Sequence, residues 1–120
     1  MSAALETSRA FEAAWQAGDF AKARTYLADD LVYDDPFGRF TDPAVVIGKY
    51  MGIAQVVAGP VKEMAAFGDD TTAVIFAELP TSVFGTSVNA NRYVVRDGKI
   101  AEHTLVYDAT GAKAQQPPEG

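Results

Sequence analysis

LADDLVYDDPFG, residues 27–38, is the stretch around which the rest of the chain can be interpreted. Its centre, Leu31–Tyr33, favours a short buried strand. The acidic pair before that strand, Asp29–Asp30, is typical of the end of a helix. Asp35 comes where the strand runs out, and Pro36 cannot extend a hydrogen-bonded ladder. A carboxylate at the end of a buried strand is placed to face a cavity, so we interpret the rest of the chain as the wall around Asp35.

The hydrophobic periodicity predicts three helices with one early strand, followed by a meander of long strands. Gly and Pro residues separate these segments, and Asp97–Gly98 is a strong hairpin signal. Pro80 is expected to break the second long strand. This order predicts an α+β protein whose helices cover one face of a curved antiparallel sheet. The predicted helices are 3–17, 19–28 and 43–58, and the predicted later strands begin at residue 61 and include 71–79, 83–95 and 99–107.

The length of 120 residues predicts one domain, which we place at residues 1–108, with a flexible tail at 109–120 that is rich in Gly, Gln and Pro. No apolar run is long enough to span a bilayer, and no signal-peptide pattern begins the chain, so we expect a cytoplasmic protein without a membrane partner. The chain has no cysteine and one histidine, which argues against a zinc site. The net charge of −6 argues against a nucleic-acid partner.

Three short motifs occur at a spacing that resembles the ketosteroid isomerase family. These are Ala17-Gly18-Asp19, Ala28-Asp29-Asp30, and Asp35-Pro36 followed by Gly38. The wider group is the nuclear transport factor 2-like or SnoaL-like superfamily, whose cystatin-like fold is a cone formed by a curved sheet and three N-terminal helices. The resemblance covers most of the chain and implies that fold.

The resemblance also implies a site. In the isomerases, the Asp of the Asp-Pro pair moves a proton between two carbon atoms, and it matches Asp35. The family uses a tyrosine and a protonated aspartic acid to stabilise the oxyanion, and their positions here are Phe11 and Asn91. The substrate would be a hydrophobic, steroid-like or polyketide-like small molecule, and no metal or organic cofactor is implied. Related proteins commonly form homodimers through the sheet.

Each candidate residue also has a plain structural interpretation. Asp35 could be a base strengthened by desolvation, or a loop carboxylate that caps backbone N–H groups. Asn91 could donate to an oxyanion, or belong to a polar network on its strand. His103 could be a second acid or base, or a histidine that is simply hydrogen-bonded. We expect the candidate ligand-binding residues to be Phe11, Trp15, Tyr33, Asn89, His103, Leu105 and Tyr107, with Phe11, Trp15, Asp35, Asn91, His103 and Tyr107 around one cavity.

The leading hypothesis is a cofactor-independent isomerase-like enzyme, of the steroid delta-isomerase or polyketide cyclase type, with Asp35 as general base and Asn91 as a donor. One alternative is a non-catalytic small-molecule-binding or dimerisation module, which Phe11 favours because it lacks the hydroxyl. Another is a hydrolase, dehydratase or cyclase in the same pocket. Limonene epoxide hydrolase, of related fold, needs an Asp and an Arg where this chain has Asn89-Ala90-Asn91. We also expect a homodimer through the outer sheet face, which carries Val88, Ala90 and Val94.

Overall fold

A computed structural model describes residues 2–114. Within these residues, four helices and six strands follow the order expected for an α+β chain, with most of the helical residues before a run of four consecutive strands. The helices are α1 (Ala3–Gln16), α2 (Phe20–Thr25), α3 (Pro43–Val56) and α4 (Thr110–Ala114), and the strands are β1 (Leu27–Asp35), β2 (Gly38–Phe40), β3 (Lys62–Gly68), β4 (Thr72–Thr81), β5 (Gly85–Arg96) and β6 (Lys99–Tyr107).

Short polar side chains start the three predicted helices. The Ser2 hydroxyl accepts from the Leu5 amide, and Asp19 and Asp42 cap α2 and α3 in the same way. The prediction of three N-terminal helices is confirmed. The second helix is shorter than predicted, because the chain leaves α2 at Thr25 to enter β1.

The predicted helix end at Asp29–Asp30 is wrong, because both residues lie inside β1. Leu27 and Leu31 are buried on either side of this pair, and the register of β1 against β6 shifts between Leu27 and Val32. The shift leaves the two carboxylates at the surface. There Asp29 pairs with Arg24 and Asp30 with Arg96.

The six strands form one curved sheet in the order β2-β1-β6-β5-β4-β3. The β1–β6 pair is parallel and the other neighbours are antiparallel. The predicted break at Pro80 is wrong, since Pro80 lies in β4 and pairs with Thr86. The pairing of β3 with β4 ends at Glu78, and on that side the Pro80 carbonyl accepts from the Ala58 amide. Pro80 lies beyond the end of that ladder, so its missing N–H is tolerated.

The hairpin predicted at Asp97–Gly98 is confirmed. Both residues have positive φ, 54° and 73°, as a two-residue turn between right-twisted strands requires. At the other end of β6, the segment expected to be a tail from residue 109 begins with α4, and residues 115–120 lie outside the described part of the chain. Within residues 2–114, no helix has the length and apolar character needed to cross a membrane.

Helices α1 and α3 pack on the concave face of the sheet and enclose most of the core. Phe11, Trp15 and Tyr50 project from these helices toward the sheet, which contributes Tyr33 and Tyr93. The rings meet mainly edge to face, for example Phe11 and Tyr50 with centroids 5.2 Å apart. This aromatic layer fills the middle of the cone and leaves space beside it for cavities.

Candidate functional site

Asp35 is the last residue of β1, and its side chain is only 3% exposed. Three groups hold the carboxylate. The Tyr33 hydroxyl donates to Oδ2 over 2.9 Å, and the Phe37 amide donates to Oδ1 over 2.8 Å. Lys49 Nζ lies 3.1 Å from Oδ2. The Asp-Pro turn and a helix lysine together stabilise a buried negative charge.

Lys49 was not singled out from the sequence, although one signal was available. It is the only charged residue in the otherwise apolar or neutral helix α3. Its side chain is 24% exposed, and its ammonium group lies over the rings of Phe40 and Phe37, at 4.2 and 5.2 Å from their centroids. The aromatic faces and Asp35 together offset its desolvation.

A cavity of about 540 Å³, here called the Asp35 cavity, opens beside this ion pair between α3, the sheet and α4. Its walls are mostly apolar, with Ile53, Val56 and Leu79 among them. The polar and predicted residues on its border are Asp35, Lys49, Thr81, Ser87, Asn89, Leu105 and Tyr107. It therefore combines a buried carboxylate with space for a hydrophobic molecule.

A second cavity of about 200 Å³, here called the α1 cavity, lies between α1, α3 and strands β3 to β6. It is bordered by Trp15 and Asn91 among the predicted residues, and by Glu12 and Tyr50, which sequence reasoning missed. Asn89 and Leu105 border both cavities. Asp35 and Tyr107 border only the Asp35 cavity.

The remaining predicted residues, Phe11, Tyr33 and His103, are fully buried and line neither cavity. Tyr33 reaches the site through its hydroxyl, which donates to Asp35. The six residues expected around a single cavity are thus divided between two cavities and the core. The reason is the aromatic layer, because rings from α1, α3 and the sheet fill the space between them.

A chain of polar groups runs through the core to the cavities. His103 Nε2 lies 3.0 Å from Asn91 Oδ1, and Asn91 Nδ2 donates to Asn89 Oδ1 over 2.9 Å. An amide oxygen can only accept, so this arrangement requires His103 to carry its proton on Nε2. Burial lowers the pKa of His103 to about 3, so the ring is neutral at ordinary pH.

Glu12 is a second buried acid, on the other side of the aromatic layer. Burial raises the pKa of its carboxyl group. Hydrogen bonds oppose this effect, since Tyr93 donates to Oε1 and Trp15 Nε1 donates to Oε2 over 2.8 Å. The Glu12 carboxylate is therefore partnered within the protein, as Asp35 is.

The titratable side chains of residues 2–114 form no cluster of three or more His, Asp or Glu that could hold a metal ion. Neutral donors hold the Glu12 carboxylate, and Asp35 has two neutral donors and one lysine.

The model of the SnoaL-like domain matches residues 8–103. The chain belongs to the SnoaL-like family. The matched region runs from α1 into β6 and contains Phe11, Asp35 and Asn91, and it includes most of the residues that border the two cavities. A search of curated proteins finds no significant match.

Solved structures share this fold over nearly their whole length. A protein from Kribbella flavida is 28% identical, with a TM-score of 0.87 and coverage of 93% of this chain and 92% of that one. An LEH-like epoxide hydrolase from M. tuberculosis is 22% identical, with a TM-score of 0.74 and coverage of 93% and 87%. A Catenulispora acidiphila protein with a ketosteroid isomerase-like fold, in complex with trimethylamine, is 19% identical, with a TM-score of 0.73 and coverage of 92% and 91%. The last two likenesses concern the fold alone.

Proposed function

We propose that this SnoaL-like protein is a cofactor-independent enzyme of the ketosteroid isomerase type, with Asp35 as general base. The observation that supports this proposal is that the Asp35 side chain is 3% exposed and borders an apolar cavity of about 540 Å³. In the reaction, Asp35 takes a proton from a carbon next to a carbonyl group, and the electron pair moves to the enolate oxygen. Return of the proton to the γ-carbon gives the conjugated ketone and regenerates the carboxylate.

The hydrogen bonds of Asp35 favour Oδ1 as the basic atom. Oδ2 faces both Tyr33 and Lys49, whereas Oδ1 accepts from the Phe37 amide. A carboxylate oxygen has two acceptor positions, so Oδ1 keeps one for a substrate proton. The donors on Oδ2 hold the carboxylate in place while that transfer occurs.

The enolate needs hydrogen-bond donors, and Phe11 supplies none. Lys49 stands beside the base and has further N–H groups, so we assign it the main stabilising role. Asn89 borders the same cavity, and its oxygen is occupied by Asn91. In this proposal the Asn89 amide nitrogen is a second donor to the enolate. In this proposal Asn91 is a positioning residue behind Asn89, while Tyr107 offers a hydroxyl at the cavity border.

The substrate proposed for this site is a hydrophobic small molecule with one carbonyl group. Apolar walls provide most of the binding free energy, and the few polar groups near Asp35 fix the orientation. The relatives include an epoxide hydrolase and a protein crystallised with trimethylamine, so small molecules are the partners that we propose for this chain as well.

Two observations favour a second candidate, a small-molecule-binding module without turnover. Three groups already engage the Asp35 carboxylate, and the residue at the family's tyrosine position is a buried phenylalanine. A carboxylate that serves only to anchor Lys49 and the Asp-Pro turn would have the same contacts. Such a protein would bind the ketone without isomerising it.

We also propose that the protein is a homodimer that pairs through the outer face of the sheet. Phe76, Ala90 and Val106 occupy directly paired positions on β4, β5 and β6. Phe76 and Val106 are exposed, as is Val88 nearby on β5. An apolar row across three strands is the kind of surface that a partner copy would cover.

The experiment for the proposed reaction is the conversion of a β,γ-unsaturated ketone, followed by the absorbance of the conjugated product. Asp35→Asn removes the basic oxygen and should abolish conversion. The matched control is Asp34→Asn, since the neighbouring Asp34 pairs with Arg39 at the surface. Binding of the ketone by the wild-type protein without conversion would favour the binding module instead.

A further inference from the structure

Glu12 is a half-buried acid that borders the α1 cavity and has no cationic partner. Its hydrogen bonds come from neutral groups. Tyr93 donates to Oε1, while Trp15 Nε1 and Gln16 Nε2 donate to Oε2 over 2.8 and 3.2 Å. Among residues 2–114, no lysine or arginine forms an ion pair with this carboxylate. Charges that are partly removed from water are usually paired, so the place of a cation beside Glu12 is unfilled by the protein.

The other charged groups on the wall of the α1 cavity neutralise each other. Arg9 forms two hydrogen bonds of 3.0 Å with Glu63, which leaves the single negative charge of Glu12 on this wall. Burial raises the pKa of Glu12, and the charge of Glu63 adds to that effect. A positive charge in the cavity would be attracted by Glu12 and would favour its ionised form. The complementary ligand is therefore a cation.

The cavity is within reach of solvent and has room for about one ring. Arg9, Gln16 and Glu63 lie on its border and are exposed at the protein surface. The volume of the cavity is about 200 Å³. An apolar cavity of about 150 Å³ in another protein holds benzene, so a six-membered ring with an amino group fits this larger space. Ile75 and Leu79 provide apolar walls for the ring.

We propose that the α1 cavity is a second ligand site, which binds a protonated amine on a small apolar ring through an ion pair with Glu12. Tyr93 takes one of the two acceptor positions of Oε1, so this oxygen has a further position for an N–H group of the ammonium. The site is independent of the chemistry proposed for Asp35, which does not border the α1 cavity and already pairs with Lys49.

Cyclohexylammonium is the probe, and cyclohexanol is a neutral control of nearly the same shape. Calorimetric titration at about pH 8 keeps the amine protonated and favours the carboxylate form of Glu12. The wild-type protein should bind cyclohexylammonium saturably and at least about 10-fold more tightly than cyclohexanol, because only the ammonium group forms a charge-assisted hydrogen bond with a carboxylate.

Trp15 reports where the ligand binds. It is the single tryptophan of the chain and borders the α1 cavity but not the Asp35 cavity. Cyclohexylammonium should therefore change the Trp15 fluorescence saturably, over the same concentration range as the calorimetric signal.

Glu12→Gln removes the charge while keeping the size of the side chain. It should weaken cyclohexylammonium binding on the order of 10- to 100-fold, the effect of one charged hydrogen bond, and leave cyclohexanol binding unchanged. Glu6→Gln makes the same chemical change at an exposed position of α1 outside both cavities, and it should not alter the affinity for cyclohexylammonium.

The wild-type protein alone provides one decisive comparison, which does not depend on the folding of any variant. Absence of saturable cyclohexylammonium binding, or equal affinity for the amine and the alcohol, would overturn the proposal. Equal cyclohexylammonium affinity for the wild type and a folded Glu12→Gln protein would overturn it as well.

Discussion

Lys49 Nζ lies 3.1 Å from Asp35 Oδ2, and the Asp35 side chain is more buried than the Lys49 side chain, at 3% against 24% exposed. The pair joins helix α3 to the end of β1, and both residues line the Asp35 cavity. An unpaired charge in such a place is expensive, so the lysine has a structural role whatever the reaction is. Our proposal adds a role in stabilising the enolate.

Replacement of Lys49 separates these two roles. Lys49→Met keeps the length of the side chain but removes the charge, and it should lower the free energy of unfolding by about 1–3 kcal/mol, because Asp35 keeps only two donors. If Lys49 also stabilises the enolate, the isomerisation rate of the folded variant should fall on the order of 100-fold. Urea unfolding and the conjugated-ketone absorbance measure the two effects.

The control for this variant is Lys62→Met, which removes an exposed lysine at the start of β3. Lys62→Met should change neither the free energy of unfolding nor the isomerisation rate. A Lys49→Met protein that is destabilised but isomerises the ketone at the wild-type rate would restrict Lys49 to the structural role and move the enolate contact to Asn89 or Tyr107.

Local rules predicted the parts of the fold that short-range chemistry controls. The helix starts at Asp19 and Asp42 and the turn at Asp97–Gly98 follow from hydrogen bonds and φ preferences within a few residues. Asp29–Asp30 could not be placed in this way, because its position depends on the register of β1 against β6, which are distant in sequence.

In the candidate site, too, local patterns predicted some residues, whereas others depend on contacts between elements distant in sequence. The Asp-Pro motif drew attention to Asp35, and strand alternation placed Asn89 and Asn91 on one face. Lys49 was missed because its partner lies on a different element, and only the packing of α3 against β1 brings the two together. Phe11 and His103 were expected at a cavity, but close packing of aromatic rings encloses both.

The outer sheet face leads to a prediction about assembly. We expect a dimer in solution at micromolar concentration, and Val106→Lys should shift it to the monomer, because a lysine in the paired Phe76–Ala90–Val106 row would be desolvated in the interface. Light scattering measures the mass of both proteins. Val45→Lys, at an exposed position on α3, should leave the mass unchanged. A monomeric wild-type protein would contradict the prediction.

Burial of His103 predicts how stability depends on pH. Its pKa falls from 6.5 to about 3 in the folded protein. Between these values the unfolded chain binds a proton that the folded chain does not, so the free energy of unfolding decreases as the pH falls through this window. Between about pH 7 and about pH 5 the contribution of this residue should be a loss of about 2 kcal/mol.

The variant His103→Gln isolates this effect, because its amide can still donate to Asn91 Oδ1 but does not titrate. The chain has one histidine, so no second imidazole contributes.

The raised pKa of Glu12 acts in the opposite direction, since the folded protein then binds a proton more readily, but Glu12 is present in both proteins and its effect cancels in the comparison. Aromatic rings of Tyr33, Tyr50 and Tyr93 surround the imidazole and offer no charge to stabilise its protonated form. Urea unfolding at the two pH values should therefore show a steeper loss for the wild type than for His103→Gln, whereas parallel losses would mean that His103 takes up a proton in the folded state.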